Sequence, residues 1–162
     1  MKKPVWPEPA PVQKRLQDNL VKRFGTGIAV LEPHRWAEYG LTIGVARETA
    51  LSVFKSLKEE NDFLFNMLVD LTAGVWMDRR EPRFDVVYQL LSISHNQRLQ
   101  VKVQAPENKP EVDSVLPLWP AANFLEREVW DMYGVSFKGH GDLRRILMYD
   151  EFVGHPLRKD YP

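Results

Sequence analysis

The sequence predicts an α/β (α+β) two-layer sandwich: elements in α-β2-α-β3 order with a mainly antiparallel or mixed sheet, then a C-terminal helix and an extended tail. Three observations carry this reading. Apolar residues recur at helical spacing over 12–24 and again over 50–57. Apolar and polar residues alternate over 41–46 and 98–104. Beyond Gly134 neither period is sustained.

The elements follow in order. Residues 1–11 hold Pro4, Pro7, Pro9 and Pro11 and predict an extended leader. Pro11 also suits a first helical turn, where its missing N–H costs nothing. Val12, Leu16, Leu20 and Phe24 give one helix face, and Gly25 closes it. Residues 27–31 (GIAVL) form a short strand, and Leu41, Ile43 and Val45 one face of the next. Ala50, Val53, Phe54 and Leu57 trace a second helix, with Lys55 and Lys58 favourably placed near its negative end. Three strands are expected at 63–77, 83–93 and 98–104. The first is apolar on both faces in its first half, as in a central strand. The second puts Phe84, Val86, Tyr88 and Leu90 together, and the third does so with Leu99, Val101 and Val103. Glu81-Pro82 and His95-Asn96 mark turns. A loop follows over 105–117, then a helix over 117–134 and a short LRRILM strand in the tail. The domain plan is a leader at 1–11, an α/β domain at 12–104, loop and helix at 105–134, and a docking tail at 135–162.

Composition removes several function classes. The chain has 162 residues, enough for one domain with a real core, and is 44% apolar and 27% charged. Lysines and arginines number 22, as do acids, so the chain lacks the basic excess of a polyanion binder. With no cysteine, thiolate catalysis, disulfides and cysteine-ligated clusters are excluded for this chain. No apolar stretch follows the N-terminal lysines as in a secretory signal, and no run approaches the ~20 residues that span a bilayer. The expectation is a cytosolic chain that meets membranes only through partners.

The tail GHGDLRRILMYDEFVGHPLRKDYP has the residue types of an active site. His140, Asp142, His155 and Asp160 match no compact metal-ligand spacing, and neither histidine lies one helical turn from the other. Ser92 and Ser94 beside His95 lack a nucleophile elbow. GTG at 25–27 enters a strand rather than a helix, unlike a phosphate loop. Over 126–162 six bases meet seven acids, so affinity for nucleic-acid phosphates is poor. Mixed charge with Trp130, Tyr133, Tyr149, Phe152 and Tyr161 instead suits a protein interface. Arg127 and Asp131 lie at i, i+4, and Arg158 and Asp160 flank Lys159.

Three runs in this region carry a family resemblance: E-R-E-x-x-D-x-x-G from Glu126 to Gly134, H-x-x-L-R-R-I-L from His140 to Leu147, and G-x-P-L-R-K-D-Y-P from Gly154. The chain resembles the 30 kDa (C-type) subunit family of respiratory complex I, NADH:quinone oxidoreductase, over roughly 63–162. One departure is Gly141, where the family usually has proline. The resemblance implies an α-β2-α-β3 two-layer fold and a structural subunit of the peripheral arm without a cofactor of its own. FMN, iron–sulfur clusters and quinone are expected in partner subunits. It further implies packing on the D-type subunit of complex I, with the B-type and I-type subunits nearby, in a hetero-oligomeric assembly. The expected location is the cytoplasmic face of the bacterial inner membrane, or the mitochondrial matrix side of the equivalent membrane.

No catalytic, metal or cofactor residue is expected here; the candidate residues form a partner interface. Glu126, Arg127, Glu128 and Asp131 are expected to fix the helix against tail and partner, with Gly134 ending it in a left-handed turn. Asp142, Arg144, Arg145, Arg158, Lys159 and Asp160 are expected to pair across the interface. Leu143, Ile146, Leu147, Pro156 and Leu157 supply apolar anchors, and His140, Gly154 and Tyr161 complete the set. Two alternatives stand beside this reading. One is the homologous component of a membrane-bound nickel–iron hydrogenase or a photosynthetic ferredoxin-linked complex. The other is a stand-alone metal-dependent enzyme using the tail's histidines and aspartates.

Overall fold

The structure is a computed structural model that describes residues 11–31, 40–76 and 83–161. The leader over 1–10 and the turn expected at Glu81-Pro82 lie outside the described residues. Helix α1 (Pro11–Phe24) leads through a tight turn into β1 (Ile28–Val30), followed by β2 (Leu41–Val45) and helix α2 (Arg47–Glu59). Strands β3 (Met67–Val75), β4 (Phe84–Ser92) and β5 (Gln97–Ala105) come next. Then come β6 (Glu111–Asp113), helix α3 (Ala122–Tyr133) and β7 (Ser136–Lys138). The α-β2-α-β3 order and the mixed sheet are as expected.

The five-stranded sheet runs β1-β2-β5-β4-β3. Its pairings are antiparallel except β2 with β5, where Ile43 lies beside Val101 in parallel register. Period-2 patterning turns one face of this sheet wholly apolar: Ile43 and Val45, Leu99 to Val103, and Phe84 to Leu90 are all buried on alternate positions. Leu16 and Leu20 of α1, Val53, Phe54 and Leu57 of α2, and Ala122 and Val129 of α3 join the same cluster. Phe54 sits at its centre, 4.5 Å from the Tyr88 ring and 5.9 Å from the indole of Trp119. The opposite face carries half-exposed Thr42, Gln89, Gln100 and Lys102, so the sandwich has two layers.

Three local readings are corrected. The segment 63–77 is not a central strand: β3 begins at Met67 and forms an edge of the sheet. Phe63 and Phe65 are buried from a turn in which Leu64 has φ 46°, so the apolar run merges a turn with a strand start. A bulge between Leu68 and Asp70 then breaks the edge, and the Asp70 carboxylate accepts the Leu71 N–H at 2.9 Å. LRRILM is not a strand, because its last three amides donate to a carboxylate of α3 instead of to a neighbouring strand. The loop over 105–117 contains β6, which pairs in parallel with β7, and α3 starts at Ala122 rather than at 117.

Candidate functional site

Residues 139–161 contain no helix or strand, so their backbone groups must find partners one by one. Helix α3 supplies many of them. Arg127 donates from Nε to the Arg144 carbonyl (3.2 Å) and from Nη2 to the Arg145 carbonyl (3.0 Å). One turn on, Asp131 Oδ2 accepts the N–H groups of Ile146, Leu147 and Met148 at 3.1, 2.8 and 2.9 Å. Its Oδ1 takes the guanidinium of Arg145, whose Nη2 reaches on to the carbonyls of Phe152 (2.6 Å) and Gly154 (3.1 Å). Burial opposes ionisation of Asp131, yet the three amides and Arg145 outweigh it and hold the carboxyl below its usual range.

The C-terminus of α3 forms a second tie. Gly134 adopts the left-handed conformation (φ 76°, ψ 19°), and its N–H returns to the Trp130 carbonyl at 2.9 Å. The His155 ring lies against it, so a Cβ at 134 would sit 2.6 Å from His155 Cδ2. His155 Nδ1 is 3.0 Å from the Asp131 carbonyl oxygen, and Leu157 N donates to the Met132 carbonyl at 3.0 Å. Gly154 (φ 98°) is pressed equally hard by the Tyr161 ring, and Tyr161 stacks on Phe152 with centroids 5.9 Å apart.

The chain's end closes onto the sheet. Asp160 accepts a hydrogen bond from Arg158 at 3.2 Å and lies 3.4 Å from Arg83, which also pairs with Glu107. The Arg158 guanidinium covers the Phe84 ring. Arg83 itself is only 1% exposed, and its Nε has no partner among the described residues. The Arg158 hydrogen bond, then a backbone N–H and the charges of Arg158 and Arg83, hold the Asp160 carboxyl below its usual range although burial opposes it.

Not every expected residue faces the tail. Glu126 is fully buried on another side of α3, where it accepts hydrogen bonds from the Ser114 hydroxyl (2.6 Å) and from Val115 N–H (2.7 Å), fixing the strand-to-helix connection. Burial pushes its carboxyl up to about 7 despite both hydrogen bonds. Glu128 and Lys159 are exposed, and Asp142 and Arg144 pair at the surface at 3.1 Å. His140 Nε2 lies 3.2 Å from the Asn123 carbonyl oxygen. Leu143 and Pro156 are half-buried, while Ile146, Leu147 and Leu157 are exposed. The pairs Asp131–Arg145 and Arg158–Asp160 close within the chain, and Arg127 turns to backbone carbonyls rather than to Asp131. No group of three or more His, Asp or Glu able to hold a metal ion forms among the described residues. Sequence reasoning placed Arg83, Ser114 and Asn123 within stretches that resemble the family (RFDVVYQLLS and SVLPLWPAANF) but singled none of them out as a site residue.

A strap of about twenty residues, cross-tied to one helix and ending on a buried arginine, can hold a surface in shape. A family model described as the respiratory-chain NADH dehydrogenase 30 Kd subunit matches residues 43–162. The chain belongs to this family. The match begins well before the resemblance at 63, taking in most of β2 and all of α2. The 30 Kd subunit relatives include the C-type subunit of the NADH-quinone oxidoreductase of Geobacter sulfurreducens, 48% identical over 75% of this chain and 74% of that protein. The corresponding subunit of Paramagnetospirillum magneticum is 46% identical over 92% of this chain and 73% of its own length. A mitochondrial NADH dehydrogenase [ubiquinone] iron-sulfur protein 3 of Candida albicans is 43% identical over 94% of this chain and 56% of that protein.

Among solved structures, a trypsin-resistant fragment of Nqo5 superposes with TM-score 0.68 at 34% identity, covering 80% of this chain and 99% of the fragment. A chain of the membrane-bound sulfane sulfur reductase, an archaeal respiratory membrane complex, superposes with TM-score 0.76 at 22% identity. It covers 92% of this chain and 85% of its own length, a likeness of fold. As a 30 Kd subunit, the chain is one component of a multi-subunit respiratory oxidoreductase. No helix among the described residues is long and apolar enough to cross a membrane.

Proposed function

We propose that this 30 Kd subunit is an architectural component of the peripheral arm of NADH:quinone oxidoreductase. It carries no cofactor of its own and docks on the D-type subunit beside the quinone module, with the B-type and I-type subunits nearby. FMN, iron–sulfur clusters and quinone then reside in partners, and the arm lies on the cytoplasmic face of a bacterial inner membrane. The observation that carries this reading is the strap. Helix α3 ties its backbone at 144–148 and at Leu157, yet Ile146, Leu147, Tyr149, Val153 and Leu157 are exposed to solvent. Apolar side chains on a fixed backbone, beside the exposed Phe124 of α3, are what a partner surface needs.

The test is affinity purification of the complex from its native membrane through a tag on another component, followed by mass spectrometry. The full chain is expected with the cluster-bearing and membrane subunits. Truncation after Gly139 should abolish its recovery with the D-type subunit; undiminished recovery of the truncated chain would overturn the docking role.

A further inference from the structure

The most exposed apolar residues of the strap bracket one turn. Val153 is 85% exposed and Tyr149 65%, and between them Asp150 and Glu151 also face solvent. The turn is closed by Phe152 N donating to the Tyr149 carbonyl at 3.0 Å. It is held from beneath by Arg145 at the carbonyls of Phe152 and Gly154, and by Tyr161 Oη donating to the Val153 carbonyl at 3.4 Å. The Phe152 ring is wedged between Tyr149, edge-on at 5.5 Å, and Tyr161. Arg145 is already neutralised by Asp131, Arg144 by Asp142 and Arg158 by Asp160. Asp150 and Glu151 meet no cation among the described residues and present two uncompensated negative charges on a rigid tip.

We infer that the Tyr149–Val153 turn is an acidic, aromatic knuckle that seats in an apolar recess rimmed by lysine or arginine on a neighbouring subunit. Charge selects that occupant. Nucleic acid and anionic lipid are repelled by the two carboxylates, and a two-fold contact with a second copy would oppose like to like. An apolar recess accepts Tyr149 and Val153, while basic residues at its rim meet Asp150 and Glu151 and set the register. Because the turn is fixed before binding, little ordering entropy is lost on docking.

The inference rests on the chain's place in the complex, and the experiment separates the two. Complexes are purified through another component at physiological ionic strength with wild-type chain, Asp150→Lys/Glu151→Lys, or Glu59→Lys/Asp62→Lys as a charge-matched control at the C-terminal end of α2. Double reversal at the knuckle should lower retention by at least about tenfold, while the control is retained like wild type. In parallel, a photo-crosslinking residue at position 149 should capture a peptide of another subunit containing lysine or arginine. Failure of the wild type to co-purify would sink the architectural role itself. If wild type co-purifies, equal retention of the knuckle variant, equal loss in the control, or a crosslink to a second copy or to a peptide without basic residues overturns the knuckle alone.

Discussion

Glu126 has no exposed surface, and the groups at its oxygens are a hydroxyl and a backbone N–H rather than a cation. Its carboxyl, ordinarily near 4.5, stands at about 7 because burial disfavours the charge. A raised acid contributes stability while protonated; that contribution is complete below about 4.5 and is lost as pH rises through 7. Urea unfolding of the full chain should therefore show stability falling by about 2–3 kcal/mol between pH 5 and 8. Glu126→Gln keeps an acceptor for Val115 N–H and turns an amide donor toward the Ser114 hydroxyl, which then accepts instead of donating, and it should flatten that slope. Gly134 sets the other sharp expectation. Alanine there incurs about 1–2 kcal/mol for the left-handed backbone and must also displace His155, 2.6 Å away. A lowered melting midpoint and faster tryptic cleavage after Arg158 are the readouts. Gly134 as a helix stop was legible, since glycine after a periodic run carries that meaning. The place of Glu126 was not: its partners Ser114 and Val115 come from a connection with no pattern of its own.

At the scale of elements, α3 reads the polarity of the strap's backbone. Arg127 takes carbonyls at 144 and 145, and Asp131 takes the next three amides. Sequence spacing suggested that these two side chains pair with each other. A segment without ladder bonds competes for both, and the unmet backbone groups win. The same competition explains why LRRILM, strand-like in composition, is none. Asp131→Ala leaves Arg145 unpaired and three amides orphaned, at a cost of about 3 kcal/mol. Hydrogen exchange should accelerate at 146–148 while β4 and β5 keep their protection. In acid the same tie should fail in wild type, as pH drops below the depressed range of the Asp131 carboxyl. Helices α1 and α2 and strands β4 and β5 were legible because their apolar residues recur at one period throughout. Strand β3 was misjudged as central because Phe63 and Phe65 are buried from a turn that precedes it. Strands β6 and β7 have three residues each, too few for alternation to show.

For the molecule as a whole, two systems with different logic are joined through α3: a sandwich specified by periodic apolar residues, and a strap specified by individual hydrogen bonds. The first kind of information is written locally and the second emerges only once the sandwich exists. The parallel pairing of β2 with β5 extends that hierarchy into time. Strands β3, β4 and β5 form a meander of successive antiparallel neighbours, whereas residues 41–45 must meet 99–103 across most of the domain. Closing so long a loop is an entropic debt best settled after the meander exists. Folding should thus nucleate in β3–β5 with β2 docking late. Kinetically, Leu90→Ala should mainly slow folding, while Ile43→Val should mainly quicken unfolding; the reverse pattern in chevron analysis would exclude this order. The strap, whose anchor Arg83 sits at the mouth of β4, is then the last piece to come to rest, and the surface it displays certifies a finished fold beneath it.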